Sequence, residues 1–275
     1  RKKTAVQLEK AYHQSEALLN AARAALAAGS FEDAARTIFD IGAEAVGVTS
    51  GYFALLSEDG KNSEVMFFES GGHPCTVDPS LPTPIRGLRA LAYQKKQPVF
   101  DNNYTSSPHR ELVPEGHTDL KNVLLAPIVV DGEAAGLFGY ANKPGGFNDD
   151  DVNLTDALSE IAALAFRESQ MKKALVQSEA SYRNLFDSAA DALMTIEQPS
   201  GEIAACNPAA VRLFGVQGAA DLIGRIPWQL APPTQPDGRT SADKAVEMMD
   251  MAIRQGHSFF EWQHARADGD EFPAT

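Results

Sequence analysis

Positive charge is the first thing this chain has little of. Its 24 Lys and Arg stand against 37 Asp and Glu, a formal net charge of −13. Nucleic-acid binding rests on Lys and Arg neutralising phosphates, so a nucleic-acid partner is not expected, and an anionic membrane surface is disfavoured on the same ground. Long apolar runs are missing too. No stretch of 18 apolar residues occurs, so no membrane span is expected. Arg1-Lys2-Lys3 leads into polar residues instead of the apolar core of a secretory signal. Cysteine is sparse: Cys75 and Cys206 lie far apart, which speaks against a disulfide framework and for a reducing, cytoplasmic setting. Gly71-Gly72 is followed by no Lys-Ser/Thr, so it is not a phosphate cradle. Neither a nucleophile–base pair nor a metal-ligand cluster stands out. The absence of Met at position 1 is read as a sign that the sequence is a piece of a longer protein.

What is present reads as two domains joined by helix. Up to about Ala28 the chain is rich in Ala, Glu and Gln, with no Gly or Pro, which favours helix. Ala5, Leu8, Tyr12, Ser15, Leu19, Ala22 and Leu26 fall at alternating spacings of three and four, a heptad seam. Gly29 is expected to end that helix in a left-handed cap, and Ser30 with Asp33 to cap the next. Strand-like runs follow at 51–56 and 65–69. Thr83 and Pro84 are expected to open a short helix bearing Ile85, Leu88 and Leu91. Pro98-Val99-Phe100 reads as a strand, and 101–119 as a long loop of the kind that often carries function. Asp131-Gly132 supplies the positive φ angles of a tight turn, so 122–141 reads as a hairpin, with Pro127 demanding an edge or a bulge. From Asn148 to about Ser188 a second long helix repeats the heptad spacing through Leu154, Ala157, Ile161, Leu164, Glu168, Met171, Leu175, Ser178, Tyr182 and Leu185. Beyond it come two short strands around Pro199-Ser200-Gly201, a helix from Asn207-Pro208, a Pro-rich loop, a Met-rich helix that Ser241 is expected to cap, and a late hairpin through Asp268-Gly269.

Several of these stretches carry family texture. Cys75-Thr76-Val77-Asp78-Pro79 through Pro84-Ile85-Arg86-Gly87-Leu88-Arg89, then Pro114-Glu115-Gly116-His117, Asn122-Val123-Leu124-Leu125-Ala126-Pro127 and Asn142-Lys143-Pro144-Gly145-Gly146-Phe147, resemble one bacterial and archaeal branch of GAF domains. Ser181-Tyr182-Arg183-Asn184-Leu185-Phe186-Asp187, Cys206-Asn207-Pro208-Ala209-Ala210 with Leu213-Phe214-Gly215, and Arg266-Ala267-Asp268-Gly269-Asp270-Glu271-Phe272-Pro273 resemble a PAS domain. The resemblance implies an α+β chain: a signalling helix at 1–28, an antiparallel-sheet GAF sensor domain with flanking helices at 29–150, a coiled-coil-like linker helix at 151–185, and a PAS domain at 186–275. The family's last, central strand would lie beyond Thr275, so the PAS half is expected to be weakly ordered or completed by a partner.

The same resemblance sets the functional expectations. Tandem modules of this kind are similar to the sensory regions of sensor histidine kinases, with the output domain downstream; neither module is an enzyme in its family. Some GAF sensors of this branch are similar in carrying haem, held by a cysteine thioether and a histidine. Cys75 and His117 are the matching pair here, with His117 the iron ligand. Arg86 and Arg89, three apart on one helix, suit an anionic group such as a propionate. Without haem, the GAF pocket is expected to take another small ligand. His73 and His109 are further candidates on turns. Asn142, Lys143, Phe147 and Asp151 partly match a cyclic-nucleotide motif, but Val152 stands where that motif has Glu, so Lys143 and Asp151 are expected to form a structural bridge. In the PAS half Cys206 precedes Asn207, the reverse of a flavin photosensor's order. The heptad helices are expected to pair in a homodimer. The alternative is a scaffold that dimerises but senses nothing; a sulfoxide reductase on this fold would need several reactive cysteines, and this domain has Cys75 alone.

Overall fold

The computed structural model describes residues 2–72, 74–78, 83–110, 113 and 116–275, with the side chains of the first helix from residue 8 onward. It divides into two compact units, Arg1–Lys173 and Ala174–Thr275. Among the described residues no helix is long and apolar enough to cross a membrane.

The first unit opens with helix α1 (Lys2–Ala27) and helix α2 (Phe31–Val46). Ser30 caps α2 as its sequence predicts, accepting a bond from the Asp33 amide and donating one to the Asp33 carboxylate. Gly29 does not adopt the left-handed cap: the residues with positive φ begin at Gly47, which closes α2. A six-stranded antiparallel sheet follows, made of β1 (Ser50–Leu56), β2 (Asn62–Ser70), β3 (Thr83–Pro84), β4 (Val99–Asp101), β5 (Val123–Val130) and β6 (Glu133–Ala141), in the spatial order β3-β2-β1-β6-β5-β4. Asp131 and Gly132 both take positive φ, as a tight β5–β6 turn requires. Pro127 is accommodated at an open edge, because β4 pairs with β5 only at Val123–Leu125, and a bulge follows at Ile128/Val129.

Thr83 and Pro84 do not start a helix. They pair with Asn62 and Ser63 as the edge strand β3, where a proline without an N–H does least harm. Helix α3 (Gly87–Lys95) begins three residues later, with Arg86 as its N-cap.

Strand alternation separates two cores. One face sends Phe53, Phe138, Tyr140, Leu124 and Ile128 against α2 and the start of helix α4 (Asp149–Ser188), where Phe39, Leu154 and Leu158 complete the packing. The rings of Phe39, Phe53, Phe67, Phe138 and Tyr140 meet at 5.0–5.8 Å between centroids, contacts worth about 0.5–1.5 kcal/mol each beyond area burial. The buried Tyr140 hydroxyl donates to the Phe39 carbonyl at 2.9 Å. The other face sends Tyr52, Leu125, Leu137 and Ala141 toward α3 and β4. The Lys143–Asp151 bridge forms with both side chains largely buried, and Asp151 also accepts from the Asn148 amide at the start of α4.

The second unit holds two separate two-stranded sheets, β7 (Met194–Ile196) with β8 (Ile203–Cys206), and β9 (Trp262–Ala265) with β10 (Glu271–Ala274). Helices α5 (Pro208–Phe214) and α6 (Ser241–Gln255) lie between them in sequence. Thr240, not Ser241, caps α6: Ser241 is already helical, and its hydroxyl is buried in a bond with Gln235. The core is small, built on Ile203, Ala210, Phe214, Leu222 and Leu230. Asn207 is fully buried and uses its whole amide. Its oxygen accepts from the amides of Leu193 and Ala210, and its nitrogen donates to the carbonyls of Phe186 and Asp191.

Candidate functional site

The α3 face of the first unit's sheet does not close over. Between β1, β2, α3 and the two long loops lies a largely apolar, open-mouthed cavity of about 170 Å³. Tyr52, Val65, Phe68, Leu88, Tyr104, Leu120, Val123 and Leu125 contribute its walls.

All four residues singled out in the sequence, Cys75, Arg86, Arg89 and His117, line this cavity, and His109 joins them. His73 lies outside the described residues. Local pairing explains how Cys75 and His117 come to facing positions. The Thr76 amide donates to the Gly116 carbonyl at 2.9 Å, and the Thr118 hydroxyl reaches the Pro74 carbonyl. Those two links set position 75 opposite position 117. His117 Nδ1 lies 2.9 Å from the Thr118 carbonyl. A carbonyl only accepts, so Nδ1 is the donor in this bond, and Nε2 is the nitrogen left to act as a ligand, as in a metal-ligating histidine. Phe68 packs edge-on against the ring. Cys75 is a free, half-buried thiol. No group of three or more His, Cys, Asp or Glu that could hold a metal ion occurs among the described residues. A thiol opposite an imidazole, apolar walls and two guanidinium groups are the donor types that a haem site would use.

Arg86 is exposed and Arg89 half-buried. The charge of Arg89 reaches three phenols. Burial pushes the Tyr52, Tyr93 and Tyr104 phenols above their ordinary range, and the charge of Arg89 pulls each partway back. Tyr93 shares a 3.1 Å bond with Ser63, and Tyr104 donates to the His109 carbonyl. The Tyr52 hydroxyl has no partner and is the one buried side-chain nitrogen or oxygen among the described residues left in that state. Sequence reading passed over Tyr52. Its place in an apolar strand made it look like core; the alternation Tyr52, Ala54, Leu56 showed a shared face, but not which face holds a cavity.

The heptad residues fall into two groups. Leu8, Tyr12, Leu19 and Leu26 of α1 are 51–81% exposed, and so are Leu164, Met171, Leu175, Tyr182 and Leu185 of α4 at 57–71%. Leu154, at the head of the α4 seam, is instead buried in the first unit's own core.

A curled antiparallel sheet flanked by helices, with an apolar cavity under a short helix, defines a domain of the α+β class. The sequence profile of the GAF domain family matches residues 28–167, just over half of the chain, and the chain belongs to that family. The PAS domain profile matches 180–247, so a GAF domain is followed by a PAS domain in a sensory region of a signalling protein. The fold is similar to that of the GAF domain from a phosphoenolpyruvate-protein phosphotransferase of Coxiella burnetii, with 17% identity, a TM-score of 0.52, and 60% of this chain and 98% of that one covered. The corresponding GAF domain from Acinetobacter is similar at 17% identity and a TM-score of 0.50, over 57% of this chain and 95% of that one. At this identity the likeness is one of fold. Comparison with curated proteins finds no match.

Proposed function

We propose that this chain is a dimeric, non-enzymatic sensory input region that binds a small ligand in the GAF cavity and passes the signal through paired helices. The observation that carries the reading is the convergence of Cys75, Arg86, Arg89 and His117 on one apolar cavity. Haem is the ligand these residues suit first. His117 Nε2 offers the iron ligand, Cys75 the thiol for a thioether, and Arg86 with Arg89 the partners for carboxylates. When bound, haem would supply a centre for redox change or gas binding. The exposed stripes on α1 and α4 are the sort of apolar surface that a second copy covers. Two packings of such a coiled coil differ by little, so modest ligand energy biases them. The PAS unit and an output domain elsewhere in the full-length protein, a histidine kinase on the family resemblance, would receive that bias.

Absorption spectra of the chain after addition of hemin, before and after denaturation, test the haem clause. A Soret band that persists on the denatured wild type but not on Cys75→Ala is the expected result; no band on the native protein removes haem and leaves another ligand. Sedimentation tests the helices. A dimer is expected at micromolar concentration, and Leu175→Glu should shift it toward monomer by about tenfold or more in Kd; a wild-type monomer would overturn the dimer.

A further inference from the structure

The Tyr52 hydroxyl poses a problem that the protein does not solve by itself. A buried hydroxyl without a partner is destabilising, yet the sheet is built to hold the ring where it is. Tyr52 sits opposite Gly139 on β6 and Phe68 on β2. A Cβ at position 139 would lie 2.9 Å from the Tyr52 ring, so the absent side chain is what lets the ring lie against the sheet. Arg89 stands close enough for its charge, and a contact at hydrogen-bond range, to act on the phenol, although the pair falls short of hydrogen-bond geometry. Nor could it complete the phenol, because a guanidinium has five donors and no acceptor. Tyr93 and Tyr104 are engaged elsewhere. This end of the cavity therefore offers donors and lacks an acceptor.

Other features agree on the sign. The N-terminus of α3 faces the same cavity through Arg86, Gly87, Leu88 and Arg89, with no side-chain cap and no acidic residue in its first turn, which leaves amide donors and the positive end of the helix dipole free for an anion. Of the carboxylates near the cavity, Glu69 is taken up by Arg36 and Asp78 lies exposed at the rim. In a chain of net charge −13, a cavity end carrying two arginines and an unsatisfied phenol is out of keeping with its surroundings. The walls are apolar, and one half-buried guanidinium balances one negative charge.

We infer that the ligand of this cavity is an apolar molecule bearing a carboxylate, and that the Tyr52 hydroxyl and the Arg89 guanidinium hold that carboxylate. This rests on the ligand-binding reading above and adds the chemical class of the ligand and a specificity-determining residue, Tyr52. Phenol and guanidinium donors to a carboxylate are charge-assisted bonds. Losing one should weaken binding by about 10- to 100-fold.

The test uses the whole chain and three matched pairs of probes: hemin and its dimethyl ester, 1-naphthaleneacetate and 1-naphthaleneacetamide, and decanoate and methyl decanoate. Affinities are measured for wild type, Tyr52→Phe and Arg89→Gln, and the Tm of each ligand-free protein is recorded. At least one acid should bind wild type about tenfold or more better than its neutral partner, and both variants should lose that preference. Ligand-free Tyr52→Phe should melt no lower than wild type, because it removes an unpaired hydroxyl. Acids and neutral partners binding equally well, a preference that survives in both variants, or a clear fall in the Tm of ligand-free Tyr52→Phe would each overturn the carboxylate site while leaving the cavity a binding site. If none of the six probes binds, both readings fall.

Discussion

The two units spend their backbone polar groups differently, and the contrast explains where a ligand can be held. The GAF unit joins six strands in one sheet and packs both faces, so Phe53, Phe138, Leu124 and Tyr140 on one face and Leu125 and Leu137 on the other are buried behind continuous ladders. A frame of that kind can keep a cavity open on one side without losing its core. The PAS unit has two hairpins that do not share a ladder, around a core resting on Ile203, Phe214 and Leu222. Its order depends more on single polar knots, above all Asn207.

The largest effect should follow from breaking the stronger core. Phe138→Ala removes a fully buried ring that touches Phe39, Phe53 and Tyr140, and should cost the GAF unit about 3–5 kcal/mol. Denaturant unfolding followed unit by unit by hydrogen exchange should show the loss in residues 31–165 and little change beyond Ala174. Next comes Asn207→Ala. It strips the cap of α5, worth about 0.5–2 kcal/mol, and leaves the Phe186 and Asp191 carbonyls without their donor, so about 3 kcal/mol in all is expected. Exchange protection should fall across β7, β8 and the end of α4. If the loss were confined to α5, the view of Asn207 as a knot between segments would be wrong.

The smallest effect is a pH dependence confined to the PAS unit. Burial holds the His264 imidazole below its ordinary 6.5, against the lift from its bond to the Leu230 carbonyl. The folded state therefore prefers the neutral ring. This stability is fully present above the unfolded value of 6.5 and is lost as pH falls from there through the folded value, by at most about 1.4 kcal/mol per pH unit. The ring packs against Phe214 and Phe272, so His264→Phe should flatten the dependence below pH 6.5 while the GAF unit's own profile stays as it was.

Much of this architecture could be read from the residues. Ser30 with Asp33, Asp131-Gly132, the Lys143–Asp151 bridge and the length of α4 each follow from local chemistry, and local chemistry is what a sequence displays. Thr83-Pro84 misled because Pro is as good at a helix start as on an edge strand; the choice was made by Asn62 and Ser63, some twenty residues earlier. Ser241 misled because Thr240 offers the same chemistry one residue sooner. The heptad spacing marks the exposed apolar stripes of α1 and α4 but is silent about Leu154, which the GAF core claims. Cys75, Arg86, Arg89 and His117 came from a family likeness, and the structure brings them to one cavity. Tyr52 was invisible, since its importance lies in a hydrogen-bond partner that is missing, and only three-dimensional packing reveals such a gap.

Native mass spectrometry of the whole chain with hemin, and separately with each of the other two acids, tests the central claim most directly. The account predicts a dimer that gains one ligand mass per protomer with at least one of the three acids, and loses it when Tyr52→Phe and Arg89→Gln are combined. A monomer that keeps its bare mass with every acid would contradict it.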